Sequence, residues 1–181
     1  MPLSASSARR ELVHKRKITC YGYHREDGLW DIEGHLADIK TYDFSNMDRG
    51  PVPAGEPVHE MWLRITVDDD LVIHATEGST EYAPFNICPG AIAGLSKIRN
   101  VKIGPGFRKE VVKLVGGSLG CTHLRELLGP MATTVIQTIV PIKSKKHTGD
   151  VAKITSLVGT CHAYAPGSEV VQRLWPDYKE A

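Results

Sequence analysis

Met61-Trp62-Leu63-Arg64-Ile65-Thr66-Val67-Asp68 is the clearest strand signal in the chain, because large apolar residues alternate with other types along it. Successive side chains of a strand point to opposite faces of the sheet. The alternation therefore predicts one face of His59, Met61, Leu63 and Ile65, and an opposite face of Glu60, Trp62, Arg64, Thr66 and Asp68. Asp68-Asp69-Asp70 predicts a turn, after which Leu71 to Thr80 returns as a second strand.

Another hairpin is predicted upstream, on either side of the turn signal Asp27-Gly28. Charged and apolar residues alternate from Arg9 to His24, which is typical of a half-buried strand. Leu29 to Phe44 has the same period and is expected to pair with it. The segment from Ser45 to Pro57 is rich in proline and glycine and predicts a loop.

The C-terminal half has helical spacing of its apolar residues. Four helices are predicted there, over Cys88 to Ile98, Phe107 to Val115, Leu119 to Val140 and Val151 to Val158. Gly129-Pro130 should kink or divide the third one, since proline removes a helical hydrogen bond. The end of the chain, up to Trp175-Pro176, is expected to be irregular.

Strands early and helices late predict the α+β fold class. We expect an antiparallel sheet of two hairpins in the N-terminal half, with helices of the C-terminal half packed on one of its faces. Residues 1–8 are small and polar and are predicted to be a flexible tail. Residues 9–181 are predicted to form a single α+β domain.

Charge and composition exclude some classes of function. The 181 residues carry 22 Lys plus Arg and 21 Asp plus Glu, a formal net charge of +1, which disfavours a nucleic-acid-binding role. No apolar run approaches a membrane span, and no secretory signal is recognised at the N-terminus. The four cysteines form no Cys-x-x-Cys pair. These features predict a cytoplasmic protein with reduced thiols and no membrane partner.

The string from Gly116 to Leu124 is the most distinctive motif, because three glycines precede a helix that begins with Cys121, Thr122 and His123. A cysteine at a helix N-terminus is a stronger nucleophile, since its pKa falls there. The free N–H groups can instead hold a carboxylate or phenolate oxygen. In the alternative interpretation the glycines end the preceding helix, Cys121 is a small buried group and His123 is solvated.

Two further sets of residues are candidates for a site. His59, at a strand entrance after a proline-rich loop, is suited to be a general base near pH 7. Arg64 either fixes an anionic substrate group or forms a cross-strand ion pair. Aromatic and charged residues of the first hairpin either line a pocket for a planar ligand or form a solvated face; they are Tyr21, Tyr23, His24, Asp27, Trp30, Asp31, Glu33, Asp38 and Lys40.

A metal site is not predicted. Cys88, Cys121, His123 and Cys161 are chemically suitable zinc ligands, but the short-range ligand pairs that mark such sites are missing.

Three strings resemble a bacterial domain-of-unknown-function family over most of the chain: Asp27-Gly28-Leu29-Trp30-Asp31-Ile32-Glu33, His59-x-Met61-x-Leu63-Arg64, and Gly120-Cys121-Thr122-His123-Leu124 with the later Cys161-His162-Ala163. The resemblance implies breakdown of plant-derived aromatic compounds, with loss of formaldehyde from lignin-type aromatic dimers. The predicted function is a cofactor-independent lyase acting on a small phenolic aromatic by retro-aldol-type cleavage, as a homodimer.

That hypothesis assigns roles to ten residues. The catalytic candidates are His59, His123, Tyr23 and Lys40, with either histidine as the base. The substrate-binding candidates are Tyr21, Trp30, Asp31, Arg64, Cys121 and Thr122.

Two other functions stay open at this point. The order of strands and helices looks like that of iron–sulfur cluster scaffold proteins, which implies a metal-binding or cluster scaffold using Cys88, Cys121, His123 and Asp68. The Gly-Cys-Gly turn and the His-Cys dipeptide of those proteins are absent here. The third function is a non-catalytic binding or assembly module.

Overall fold

A computed structural model describes residues 3–147 and 157–179. The chain divides into two compact units, one up to Ile136 and the other from Gln137 onward. The flexible tail and the single domain remain predictions.

A four-stranded antiparallel sheet lies in the first unit, with strand order β1-β2-β5-β6. Its strands are β1 (His14–His24), β2 (Trp30–Lys40), β5 (Pro57–Val67) and β6 (Ile73–Tyr82). β1 and β2 form the first predicted hairpin and β5 and β6 the second, and β2 pairs with β5 to join the two. The two-hairpin sheet predicted from the alternating pattern is therefore confirmed.

A small second sheet interrupts the segment predicted as a loop. β3 (Phe44–Asn46) pairs antiparallel with β4 (Gly50–Val52), so the loop prediction for Ser45 to Pro57 is wrong over these residues. The Asn46 side chain accepts hydrogen bonds from the backbone N–H groups of Asp48 and Arg49, which closes the turn between the two strands.

The C-terminal half is helical, as the spacing predicts. A 3-10 helix covers Cys88–Ile98, and α1 covers Phe107–Val115. After the short 3-10 turn Gly117–Leu119, α2 runs over Thr122–His147. α3 covers Glu169–Leu174, where the sequence predicted an irregular end. The predicted helix at 151–158 lies, in its first six residues, outside the described residues.

Gly129-Pro130 does not divide α2, which continues as one helix beyond Val140. Proline costs this helix one backbone hydrogen bond, yet the residues on either side of the pair are deeply buried. Leu127, Leu128, Met131 and Val135 are at most 1% exposed. The apolar burial of these four residues outweighs the missing bond.

The core lies between the sheet and the helices on one face, here called the inner face. Its largest fully buried members on the sheet include Trp30, Ile32, Leu36, Met61, Leu63 and Ile65. Gly34 lets α2 approach closely, because a Cβ there would lie 2.7 Å from Met131 Sδ. The opposite, outer face is partly exposed and polar. In the part of the chain that the structure describes, no helix is long and apolar enough to cross a membrane.

Candidate histidine–carboxylate site

Asp38 is a charged residue on the inner face, near the end of β2, and it is only 2% exposed. The register of β1 and β2 places Arg16 opposite it. Arg16 donates from Nε to Oδ1 and from Nη2 to Oδ2, both at 2.7 Å. Burial raises the pKa of Asp38, but the hydrogen bonds and the charge of Arg16 outweigh burial and hold this pKa below its usual value. Asp38 is therefore a carboxylate at neutral pH.

Three histidines surround this carboxylate. His14 Nε2 lies 3.1 Å from Oδ1, whereas His59 Nδ1 and His123 Nε2 lie 3.4 and 3.5 Å from Oδ2. Their positions follow from the fold: the β2–β5 register sets His59 opposite Asp38, and His123 is in the first turn of α2. We call Asp38, Arg16, His14, His59 and His123 the Asp38 cluster.

His59 and His123 stack on each other, with ring centroids 3.7 Å apart and ring planes 27° from parallel. Burial lowers the pKa of His59 from 6.5 to about 4, and the neighbouring charge of His123 adds to this effect. The attraction of Asp38 opposes the shift without cancelling it. His59 is consequently neutral at pH 7 and able to accept a proton.

Cys121 extends the cluster on the side away from Asp38. Its sulfur lies 3.9 Å from His123 Nδ1 and 3.9 Å from Met61 Sδ. Burial raises the pKa of the Cys121 thiol, but the His123 imidazole and the N–H groups of Leu124 and His123 more than offset it, so the net shift is downward. His123 thus faces a carboxylate with one nitrogen and a thiol with the other.

A cavity of about 530 Å³ lies beside Cys121. It is open to solvent and lies between the 3-10 helix Cys88–Ile98 and the segment that leads into α2, which approach each other closely at Gly94 and Leu119. Small and apolar residues make up most of its lining, which consists of Ile87, Cys88, Gly90, Ala91, Gly94, Ser118, Leu119, Gly120 and Cys121. A volume of several hundred Å³ is typical of small-molecule sites.

The structure brings together three of the sequence-predicted site residues: His59, His123 and Cys121. Thr122 is the exposed first residue of α2, next to them in the chain. The pattern of β5 had placed His59 on the apolar face, and this placement is confirmed.

The other candidates lie elsewhere. Tyr21, Tyr23, Asp31 and Arg64 alternate onto the outer face of the sheet. Arg64 binds Glu33 and Glu77 there at 2.8 Å, which matches the cross-strand ion pair considered for it.

Asp31 is also engaged on that face, where it accepts hydrogen bonds from Thr66 and Arg25. Trp30 is buried in the core and donates from Nε1 to Asp69, so it does not line an open pocket. The Lys40 ammonium lies over the Phe44 ring, 4.5 Å from its centroid.

The sequence does not identify Arg16 or His14 as site residues, and it considers Asp38 only as one of the first-hairpin residues that line either a pocket or a solvated face. One signal was present: Asp38 follows Trp30, Ile32, Gly34 and Leu36 at a period of two, which puts a carboxylate on the apolar face. A buried carboxylate requires a partner, and so it marks a site.

The metal ligands considered from the sequence do not all meet. Cys88 and Cys121 line the same cavity. Asp68, however, lies just beyond the far end of β5, where it binds His74. Nine residues of extended chain, or about 30 Å, separate Asp68 from His59 at the other end of the strand. Cys161 is exposed in the second unit. A different set of possible metal ligands does lie together. It consists of Asp38, His59 and His123, each of which has one ligand atom within 4.8 Å of those of the other two.

The fold and the cluster define an α+β protein with a buried histidine–carboxylate centre. The chain belongs to the DUF2889 family, described as a protein of unknown function, whose family model matches residues 14–137. This match covers more than half of the chain and includes every member of the Asp38 cluster. A comparison with curated proteins gave no match, and neither did a comparison with solved structures.

Proposed function

We propose that this protein is a cofactor-independent carbon–carbon lyase that releases formaldehyde from the hydroxymethyl side chain of a small phenolic aromatic. The observation that carries the proposal is a neutral, half-buried His59 held against an ionised Asp38, with a second imidazole stacked on it. This arrangement supplies the proton acceptor and proton donor that a retro-aldol cleavage needs.

The reaction divides into two steps. The phenol loses its O–H proton, and the oxygen substituent on the carbon attached to the ring leaves with a proton from an acid, which converts the ring to a quinone methide. A base then takes the hydroxymethyl proton, the carbon–carbon bond breaks, and formaldehyde leaves. The electron pair of the broken bond restores the aromatic ring as a phenolate, which then takes up a proton to become the phenol.

His59 is the better base of the two histidines. Its Nδ1 faces Asp38, which leaves Nε2 for the substrate. His123 directs Nε2 to Asp38, and its Nδ1 lies 3.9 Å from Cys121, which lines the cavity, so Nδ1 is the nitrogen that can exchange a proton on that side. We assign His59 as the base, and His123 as the group that donates the proton and receives it back.

The cavity beside Cys121, which adjoins the Asp38 cluster through the contact of Cys121 with His123, is the proposed site of the aromatic ring. Its apolar lining favours a planar apolar ligand. We also propose that the protein works in the cytoplasm as a homodimer; the four free thiols suit a reducing compartment.

Divalent metal binding by Asp38, His59 and His123 is the second candidate, favoured by the mutual approach of their ligand atoms. Two observations weigh against it. The Arg16 guanidinium already occupies both oxygens of Asp38 and brings a positive charge to the place of the cation. The near-parallel stacking of the two imidazoles also directs their nitrogen lone pairs side by side, whereas ligands of one ion converge.

The substrate requirement tests the proposal. Purified protein is incubated with a phenolic aromatic dimer that bears a hydroxymethyl side chain, and with the same dimer methylated on the phenol oxygen. With the free phenol, we expect the amount of formaldehyde released to equal the amount of substrate consumed. With the methylated dimer we expect no formaldehyde, because the ether cannot form the quinone methide. Equal release from both, or none from a panel of such phenols, would reject the proposed reaction.

A further inference from the structure

Cys121, His123 and Asp38 are arranged in the order of nucleophile, imidazole and carboxylate. The Cys121 sulfur lies 3.9 Å from His123 Nδ1, and His123 Nε2 lies 3.5 Å from Asp38. Arg16 fixes the carboxylate through two hydrogen bonds. Nucleophilic cysteine centres are recognised by this sequence of roles rather than by chain order.

The backbone at the start of α2 strengthens the arrangement. Cys121 directly precedes the helix, and its carbonyl accepts the backbone N–H of Arg125 at 3.0 Å, so it occupies the N-cap position. The N–H groups of His123 and Leu124 interact with its sulfur. A thiolate at Cys121 is stabilised by these N–H groups together with the His123 Nδ1 contact.

The cavity gives this sulfur a place to react. Cys121 lines the 530 Å³ space beside the 3-10 helix, together with Cys88 on that helix. The remaining lining is dominated by small and apolar groups, so a small electrophile can reach the sulfur without competing charged side chains.

We propose that Cys121 is a nucleophile that adds reversibly to the carbonyl carbon of a small aldehyde in this cavity. The identity of the aldehyde rests on the proposed function, which releases formaldehyde beside it. The Cys121 S–H proton passes to His123 Nδ1, the Sγ–C bond forms, the π pair of the carbonyl moves onto oxygen, and this oxygen takes the same proton back from Nδ1. The product is a thiohemiacetal, and the reverse step releases the aldehyde with no oxidant or reductant.

Thiol reactivity tests the nucleophile without any aromatic substrate. Wild-type protein and His123→Gln are treated with limiting iodoacetamide at pH 6, and each cysteine is quantified by peptide mass spectrometry. We expect Cys121 in the wild type to react at least about tenfold faster than the exposed Cys161, because only a thiolate reacts appreciably at this pH. His123→Gln should remove this advantage and leave Cys161 unchanged. A Cys121 rate no greater than that of Cys161, or one unaffected by His123→Gln, overturns the proposal.

Carbon-13-labelled formaldehyde tests the adduct. We expect the carbon-13 signal of one sulfur-bound hydroxymethyl group in the wild type. The signal should remain in Cys88→Ser, which changes the other cysteine of the cavity, and it should be absent in Cys121→Ser. A signal that persists in Cys121→Ser rejects the aldehyde adduct. Adduct formation without release of formaldehyde from any phenolic dimer would reject the lyase and keep this proposal, whereas release without an adduct would do the opposite.

Discussion

Asp38 is a carboxylate on a strand face whose preceding members are apolar or glycine. Trp30, Ile32 and Leu36 share that face and are at most 2% exposed. An unpaired charge in such surroundings is costly, so the ionised form depends on the two hydrogen bonds from Arg16. These two hydrogen bonds also fix the orientation of the Asp38 carboxylate and therefore the orientation of the imidazoles that contact it.

The pKa of His59 makes stability depend on pH in a defined direction. This pKa is about 4 in the folded protein, below the ordinary 6.5, so between these values the unfolded chain binds a proton that the folded protein does not. We expect the free energy of unfolding to be greatest above pH 6.5 and the His59 contribution to fall by about 3 kcal/mol on acidification to pH 4. Urea unfolding at several pH values measures this slope.

His35 provides the control for that slope. It lies on β2, next to β5, but faces the outer side, where it stacks on Trp62 and binds Glu60. His59→Gln should lose the His59 part of the pH dependence, and His35→Gln should keep it. Identical slopes for wild type and His59→Gln would show that the folded protein does not perturb His59.

At the scale of elements, the entry into α2 depends on close backbone approach. Gly120 has an extended backbone, with φ −167°, so its role is not a left-handed turn. A Cβ at this position would instead lie 2.6 Å from the carbonyl oxygen of Val115, at the end of α1. This contact sets the path of the chain into α2 and hence the positions of Cys121 and His123.

Two glycine-to-alanine variants separate this contact from helix propensity. Gly120→Ala should lower the free energy of unfolding by about 1–3 kcal/mol, because the backbone of α1 must move. Gly129→Ala meets no atom within 4 Å and lies inside α2, so it should be neutral or stabilising by up to about 1 kcal/mol. Thermal melting and urea unfolding compare the two. If Gly120→Ala has the same free energy of unfolding as the wild type, this contact does not set the path of the chain from α1 into α2.

The spacing of apolar residues and the turn motifs predicted the strands and helices, because both are local properties of the chain. The alternation in β5 also assigned His59 to the apolar face, since side-chain direction follows from position in a strand. The pairing of Arg16 with Asp38 could not be predicted in the same way, because it depends on the β1–β2 register. The contact of His123 with Asp38 depends in turn on how α2 packs on the sheet.

The continuity of α2 was missed for a related reason. Gly129-Pro130 is a local signal to break a helix, but the apolar residues beside it are buried. Tertiary burial overrides local propensity here, and the sequence pattern alone does not show which of the two effects is larger.

At the scale of the whole molecule, the two faces of the sheet differ in their chemistry. On the outer face, ion pairs such as Arg64 with Glu33 and Glu77 satisfy the charges. A cavity of about 250 Å³ lies beside them and is lined in part by Trp62 and Ser79. The inner face holds the Asp38 cluster, in which several titratable groups share one carboxylate, and this favours catalysis.

Metal content distinguishes the two candidate functions of the cluster. We expect protein purified without added metal to be colourless and to hold less than a stoichiometric equivalent of zinc or iron, because Arg16 occupies the carboxylate. Elemental analysis of wild type and Asp38→Asn checks this, with no difference expected between them. One tightly held metal per chain, lost in Asp38→Asn, would make metal binding the leading function.

The central claim is that His59 is the base in the Asp38 cluster. The most direct measurement is the rate of formaldehyde release from a phenolic hydroxymethyl dimer by His59→Gln, with His35→Gln as the control on the opposite face. We predict a loss of about a hundredfold or more in His59→Gln, the typical value of general-base catalysis, with an unchanged melting temperature at pH 7. His35→Gln should retain near wild-type turnover. Near-full activity of His59→Gln would contradict the claim.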